Sequence, residues 1–349
     1  MNLYDPGRIP RSIIPENQEF PMLSLSSWVT PANKHYIRNH FAYPTLPLND
    51  WVLHIEGLVQ RPVSLNYQTL FQFPQITLSV TLECAGNKRA YYHPKAKGDQ
   101  WEQGAVSNAL WTGVPLRTLL QVAGIMPQVR EVIFEGMDAG ERADLPGTFH
   151  FARSLPIEKA MHPDTLIALY MNGSPIPYKH GYPARLIVPN WYGMASVKWL
   201  SRIVAADQAF QGPFQSRDYV VYASETDSLR RPVTLMKVNS VISQPTDQAI
   251  VRRGKHFITG AAWSGHGIVK IVEISLDQGE SWDLVTWLDS EVTNSWRRWG
   301  WEWHVPVPGT YFIMVKATDV MGNSQPLQAA WNVKGYENNA IPHIQIYVE

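Results

Sequence analysis

The stretch TLECAGNKR, residues 81–89, decides how the fold of this chain is interpreted. Apolar and polar side chains alternate from Ile76 up to this stretch, and a period of two predicts a β-strand that ends near Cys84. The small and turn-forming residues after the cysteine predict a tight turn, where backbone can approach a neighbouring group closely. The lysine and arginine that follow would stabilise a thiolate, which is the form of cysteine that binds metals or attacks electrophiles.

Cys84 is the only cysteine among the 349 residues of the sequence. An internal disulfide, a zinc site made of several cysteines and an iron–sulfur cluster held by several thiolates are therefore excluded. Three roles stay open on the residues alone: an inert buried thiol, a nucleophile, or a soft ligand for a metal. A nucleophile needs a base beside it, and no local hydrolase signature supports one. A metal would need further donors from histidine, carboxylate or a cofactor.

The composition narrows the class of protein. The chain has 30 basic and 30 acidic residues, and 45% of its residues are hydrophobic, which is typical of a globular protein without an overall charge for nucleic acid. No stretch approaches the roughly 18 consecutive apolar residues of a membrane span, and the start of the sequence lacks the apolar core of a signal peptide. We expect a cytoplasmic protein that binds neither membrane nor nucleic acid.

Residues 1–226 are predicted to form a first domain of the α+β class. Residues 1–50 lack a sustained period and predict an extended arm over the surface. Strand signals then mix with two short helices, predicted over residues 115–123 and 154–161, the second capped by Ser154. Because strands and helices do not alternate regularly, we expect a mixed α+β fold rather than a parallel doubly wound one.

Residues 227–349 are predicted to form a second domain, an immunoglobulin-like β-sandwich. Helix signals stop there, and short β-rich runs follow each other closely. These runs cover residues 237–243, 256–263, 269–276, 282–288, 299–305, 311–318, 329–333 and 343–348. Tryptophans crowd this half, and an aromatic-rich surface patch would suit a dimer interface.

Two further motifs suggest a site for an anion. Residues 180–185 read HGYPAR, a polar turn that feeds a predicted buried strand, and Arg185 within that strand needs an anionic partner. A second cation follows in SVKW, residues 196–199. The sequence has no GxGxxG motif and no P-loop, so an anionic cofactor would be held by scattered groups.

The motif CAGNKR, the upstream Arg38-Asn39-His40, and the HGYPAR and SVKW segments together resemble the sulfite oxidase family, and the resemblance covers roughly residues 28–349. It implies an α+β molybdopterin domain followed by an immunoglobulin-like domain that forms a homodimer. It also implies that Cys84 is the one protein ligand to molybdenum, with two more sulfurs from the pterin. The residues it implies for cofactor binding are Arg38, Asn39, His40, Asp138, His180, Arg185, Ser196, Val197 and Lys198.

The resemblance also implies a pocket for a small oxyanion. Its catalytic residues would be Arg38, Arg89, Trp101, Tyr219 and Lys334. The family carries arginine at the position of Lys334, and its animal and plant members carry arginine at that of Lys88. Lysine keeps the charge but loses the planar fork that grips an oxyanion at two points.

The implied activity is oxo transfer that converts sulfite to sulfate. The length leaves no room for a fused haem or flavin domain, so we expect a separate electron acceptor: a cytochrome, another redox protein, or oxygen. Two alternatives stay open. One is a molybdenum enzyme for another oxyanion or S-oxide, of the nitrate or sulfoxide type. The other is a cofactor-free dimeric binding module in which Cys84 is inert.

Overall fold

The computed structural model of the chain describes residues 7–45, 50–305 and 307–349. The secondary structure of this part is mostly β, with few and short helices. The predicted α+β class is therefore corrected for the first half, in which sheets dominate. None of the described helices has the length and apolar character needed to cross a membrane.

Two five-stranded sheets form the frame of the first half. One has the order β10-β9-β6-β5 with β11 also paired to β9, and the other has the order β4-β3-β12-β7-β8. The strands of this half are β1 (Ile9–Ser12), β2 (Asn17–Glu19), β3 (Val52–Gly57), β4 (Val63–Asn66), β5 (Ile76–Glu83), β6 (Val106–Pro115), β7 (Glu131–Arg142), β8 (Leu145–Pro156), β9 (Leu166–Met171), β10 (Ser174–Pro175), β11 (Arg185–Ile187), β12 (Leu200–Ala206), β13 (Val220–Val221) and β14 (Arg231–Pro232). The α-helices are α1 (Tyr67–Leu70), α2 (Leu116–Ala123) and α3 (Ile157–Ala160).

The strand predicted before Cys84 is confirmed as β5, which pairs antiparallel with β6 over its full length. Its first residues alternate in exposure, and its last residues are buried on both faces. Cys84 follows directly, and its backbone N–H donates to the carbonyl of Ala105 at 2.8 Å. The sheet therefore fixes the place where the cysteine leaves the strand.

The helix predicted at 115–123 is confirmed as α2. Pro115 precedes it, Leu116, Leu119 and Leu120 are buried on one face, and Gly124 ends it with φ of 72°. A positive φ is easily reached by glycine, which explains the stop at this residue.

The helix predicted at 154–161 is wrong in its first half. Ser154 lies in β8 and pairs with Ile133 of β7, so α3 begins only at Ile157. The N-cap preference of serine is a weak local signal, whereas β7 and β8 form a long hairpin of cooperative hydrogen bonds. That hairpin was not predicted; its register shifts between Glu135 and Ala139.

The second half consists mainly of two antiparallel sheets. One has the order β15-β17-β21-β20 and the other β16-β23-β22-β18-β19, in which β16 alone pairs parallel. Buried residues of both sheets, such as Trp299 and Ile313, form one core cluster. The strands are β15 (Asn239–Gln244), β16 (Ile250–Val251), β17 (Gly254–Trp263), β18 (Val269–Ser275), β19 (Asp283–Leu284), β20 (Thr286–Trp287), β21 (Arg297–Val305), β22 (Gly309–Asp319) and β23 (His343–Val348).

Two of the predicted runs differ in the structure. The run at 282–288 breaks into β19 and β20, which belong to different sheets. The run at 329–333 forms no strand, because this segment contacts the first half of the chain instead. There the Trp331 indole donates to the Pro94 carbonyl at 2.8 Å, and the Val333 N–H donates to the Tyr222 carbonyl at 3.1 Å.

Half of the tryptophans of the second half are core residues. Trp296, Trp299 and Trp303 are buried. These three are therefore not available to a surface patch, whereas Trp287 and Trp301 are half-buried and Trp331 is exposed. Trp296 also joins a core cluster that is mostly built by the first half, so the two halves share buried apolar surface.

Candidate active site

Cys84 lies at the junction of two adjoining cavities. The residue is buried, and the turn after it is closed by a 2.9 Å hydrogen bond from the Asn87 N–H to the Cys84 carbonyl. Burial raises the pKa of the thiol, while Arg38 and the Gly86 backbone N–H act to lower it. A buried thiol beside fixed positive charge suits a soft metal ligand, since a bound cation would add the charge needed for the thiolate.

The inner cavity gathers almost all residues predicted to bind the cofactor. Val197 is the exception, since it belongs to the hydrophobic core and does not line the cavity. The lining residues that the sequence predicted are Arg38, Asn39, His40, Cys84, Asp138, His180, Arg185, Ser196 and Lys198.

Two cations line the inner cavity: Arg185, which is buried, and Lys198, which is half-buried. The Arg185 guanidinium donates to the carbonyls of Ser196 and His180 at 3.3 and 3.1 Å, and it stacks over Trp111. Lys198 donates to the side-chain oxygen of Asn39. Within the described residues neither cation has a carboxylate in ion-pair contact, so the cavity would accept a phosphate or another anion.

The polar groups around these cations also fit a heteroaromatic cofactor. Asp138 is buried, one of its carboxylate oxygens has no hydrogen-bond partner, and burial raises its pKa. Burial also lowers the pKa of His40 and His180 well below the ordinary value, so both rings are neutral. Neutral rings and an unpartnered carboxylate can exchange hydrogen bonds with the N–H and carbonyl groups of a pterin, while Arg185 and Lys198 would hold its phosphate.

The outer cavity contains the five residues predicted for the substrate. Cys84 is part of its wall, and so are Arg38, Arg89, Trp101, Tyr219 and Lys334. Residues from the N-terminal arm and from the end of the second half therefore meet in this cavity, although they are far apart in sequence.

Arg89 is held by backbone carbonyls and by close packing. Its Nε donates to the Lys334 carbonyl at 3.1 Å and its Nη1 to the Asp99 carbonyl at 3.0 Å. A Cβ atom at Gly86 or Gly98 would lie within 3 Å of the guanidinium, so only glycine leaves room for it at these two positions. Nη2 has no hydrogen-bond partner among the described residues, which leaves it available to an anion.

Tyr219 connects the two cavities. Its hydroxyl lies 2.7 Å from His40 Nε2, and His40 stacks on Phe151 with ring centroids 4.4 Å apart. Burial raises the pKa of Tyr219, so its hydroxyl stays protonated at neutral pH. A predicted cofactor residue and a predicted substrate residue are thus in direct contact.

Lys88 does not lie in either cavity. It is buried at the contact between the two halves, where its ammonium group donates to Asn239 Oδ1 at 2.6 Å and to the Ser240 carbonyl at 2.8 Å. A lysine at this position therefore does not weaken the binding of an oxyanion, because its ammonium group donates hydrogen bonds at the contact between the halves.

Several cavity residues escaped the sequence analysis. Tyr36 and Lys179 line the inner cavity, and Asp99 and Tyr336 line the outer one. Tyr36 and Lys179 stand beside motifs that had been singled out, so proximity in sequence could have suggested them. Asp99 and Tyr336 also lie within two residues of predicted site residues, Trp101 and Lys334, but no pattern in the sequence showed that their side chains reach the cavity.

Comparison with known proteins identifies the same kind of cofactor that the cavity residues fit. A family described as "Oxidoreductase molybdopterin binding domain" matches residues 40–214, and one described as "Mo-co oxidoreductase dimerisation domain" matches residues 230–349. The chain is 34% identical to mitochondrial sulfite oxidase of Rattus norvegicus, over 99% of this chain and 67% of that protein. It is also 34% identical to inducible nitrate reductase [NADH] 2 of Glycine max, over 93% of this chain and 40% of that protein.

A solved structure shows the same architecture. The sulfane dehydrogenase SoxCD of Paracoccus pantotrophus superposes with a TM-score of 0.83 at 29% identity, over 95% of this chain and 84% of that one. The fold and the paired cavities define a molybdopterin-dependent oxidoreductase. The chain belongs to the sulfite oxidase family of these enzymes, and a cofactor-free binding module is therefore set aside.

Proposed function

We propose that this enzyme oxidises sulfite to sulfate and passes the electrons to a separate acceptor. Sulfite and water give sulfate, two protons and two electrons, so every turnover requires such an acceptor. The bound molybdenum cofactor would supply the exchange of the oxygen atom and the two electrons. The protein itself would bind and orient the anion and hold the cofactor.

The observation that carries the proposal is the placement of three cations in the cavity beside Cys84. All three line the outer cavity: Arg38, Arg89 and Lys334. Within the described residues, none of them forms an ion pair with a carboxylate. Buried or half-buried cations without an anionic partner attract a small anion strongly. Asp99 also lines the cavity, and its Oδ2 accepts a 3.0 Å hydrogen bond from Asn17.

Each residue then has a definite task. Arg89 offers its free Nη2 to an oxygen of the anion. Arg38, from the N-terminal arm, supplies a second positive charge. With its Nε2 protonated, His40 donates to the Tyr219 oxygen, which leaves the tyrosine proton free to point at the anion. Cys84 would be the protein ligand of molybdenum, and Arg185 and Lys198 would bind the cofactor phosphate.

We further propose that residues 227–349 form an immunoglobulin-like sandwich through which two copies pair, with 1–226 as the catalytic domain. The match of residues 230–349 to a dimerisation domain and the packing of two sheets on one core support this. The outer faces of these sheets, rather than the buried tryptophans, would provide the contact. No residue of the chain identifies the electron acceptor. A cytochrome, another redox protein and oxygen are the candidates to test.

Parallel assays on the purified enzyme test the proposed activity. We expect sulfite to reduce an artificial acceptor such as ferricyanide with saturation kinetics, and about one molybdenum atom to be found per chain. Nitrate reduction driven by a reduced viologen, and oxidation of a sulfane substrate, serve as the alternative arms. A molybdenum-loaded enzyme that turns over nitrate or a sulfane compound faster than sulfite would disprove the sulfite assignment while leaving the cofactor site intact.

A further inference from the structure

Four side chains form a continuous stack beside the outer cavity. Arg153 Cζ lies 5.3 Å from the centroid of the Tyr219 ring, and the rings of Tyr219 and Tyr336 are 5.4 Å apart with planes 17° from parallel. Arg89 Cζ lies 5.0 Å from the centroid of the Tyr336 ring. The stack joins residues of the first half to a residue near the end of the chain.

The position of Tyr336 is fixed by hydrogen bonds of its backbone. Its N–H donates to Asn332 Oδ1 at 3.0 Å, and its carbonyl accepts hydrogen bonds from Asn332 Nδ2 at 2.8 Å and from Tyr92 Oη at 3.0 Å. All three contacts leave the side chain free to face the cavity. The described residues provide no hydrogen-bond partner for the Tyr336 hydroxyl, so the contacts of this side chain are mainly those of its ring.

We propose that Tyr336 is a positioning residue for anion binding, because its ring holds Arg89 and Tyr219 in the orientation that the substrate requires. This rests on the proposed function, in which those two residues bind sulfite. A cation over an aromatic face gains most where water is excluded, and offset stacking of the two rings restricts Tyr219 in the same way. Without the ring, Arg89 keeps its carbonyl contacts but loses the surface that orients its free Nη2.

Three variants of the cofactor-loaded enzyme test this role: Tyr336→Phe, Tyr336→Leu and, as a second non-aromatic side chain, Tyr336→Met. We measure KM and kcat for sulfite, and separately the Kd of sulfate by titration calorimetry, which needs no turnover. Loss of one desolvated cation–π contact predicts that Leu and Met raise KM and the sulfate Kd by about 5- to 30-fold, with kcat changed much less. Phenylalanine keeps the ring and should stay within about twofold of the unchanged enzyme.

Trp287→Leu is the matched control, because it removes a cation–π contact with Arg297 in the second half, and neither residue lines either of the two cavities. Its sulfate Kd should not change. Molybdenum content and circular dichroism of every variant show whether it is folded and loaded. Sulfate affinity that is unaltered in Leu and Met, or equally weakened in Phe and Leu, would overturn the role of the ring. If the unchanged enzyme did not oxidise sulfite, the proposed activity would fail, but the sulfate affinities would still decide the role of Tyr336.

Discussion

The ammonium group of Lys88 donates a 2.6 Å hydrogen bond to the side-chain oxygen of Asn239, across the contact between the two halves of the chain. The amide nitrogen of Asn239 in turn donates to Glu83 at 3.0 Å, and the second oxygen of Glu83 accepts from the Trp263 indole at 2.8 Å. Asn239 thus fixes both the residue before Cys84 and the loop after it. The turn that holds the thiol is built by both halves.

Removing Lys88 from this network should destabilise the whole protein. Lys88→Met removes the ammonium group that donates to Asn239 Oδ1 and to the Ser240 carbonyl, and it leaves buried Glu83 without this neighbouring cation. Breaking a buried charged network costs about 3–5 kcal/mol. Urea unfolding followed by tryptophan fluorescence measures the free energy of unfolding. Lys255→Met, which breaks an exposed pair with Glu302, is the control and should leave that free energy unchanged. Equal stability of the two variants would contradict a structural role for Lys88.

Cys84→Ser should abolish turnover while preserving the fold. A hydroxyl is a poor ligand for a metal that prefers soft sulfur donors, and the substitution keeps the shape of the side chain. Activity should fall below about a tenth of the unchanged enzyme, which corresponds to about 1.4 kcal/mol in the barrier. The absorption spectrum should change because the metal–thiolate bond is lost, whereas the pterin content should remain. Substantial residual activity with an unaltered spectrum would exclude Cys84 as the ligand.

Lys334→Ala should weaken substrate binding more than chemistry. The side chain is half-buried in the outer cavity, so its charge attracts the anion in the ground state and in the transition state alike. We expect KM for sulfite to rise about 10- to 150-fold with little change in kcat. Lys334→Arg provides the planar fork and should lower KM. If KM instead rises in the arginine variant, the pocket is shaped for a different anion.

Arg185→Gln should impair retention of the cofactor. The variant removes a buried positive charge that is stacked on Trp111 and has no carboxylate partner within the described residues. Molybdenum analysis and pterin fluorescence of the denatured protein should show that most chains lack the cofactor. Arg202→Gln, on an exposed ion pair with Glu56, is the control and should retain full loading. A normal cofactor content in the Arg185 variant would show that the cofactor phosphate is bound by other residues.

The protein should be a dimer in solution. Light scattering at micromolar concentration is expected to give twice the 39.6 kDa mass of the chain. Charged substitutions on exposed apolar residues of the second half, such as Phe257→Lys and Leu284→Lys, test which sheet face makes the contact. One of the two should shift the mass to that of a monomer. A monomeric mass for the unchanged protein at this concentration would exclude the dimer.

The sequence by itself determined the strand before Cys84, the helix α2, most strands of the second half and the chemistry of the cavity residues. These features rest on short-range information: an alternating pattern, a proline before and a glycine after a helix, and motifs whose residues are contiguous. The same information failed for Ser154, where pairing with β7 overrode a capping signal, and for residues 329–333, which contact the first half instead of joining a sheet.

Only the tertiary structure showed where the charge of Lys88 lies. Lys88 and Arg89 are adjacent in sequence, yet Lys88 points into the contact with Asn239 and Arg89 into the outer cavity. Lys88 has φ of 65°, and this turn of the backbone sends the two side chains in different directions. Tyr336 joins the cavity because buried hydrogen bonds between the halves carry its segment there. Such contacts depend on packing between residues more than 200 positions apart, which no local pattern encodes.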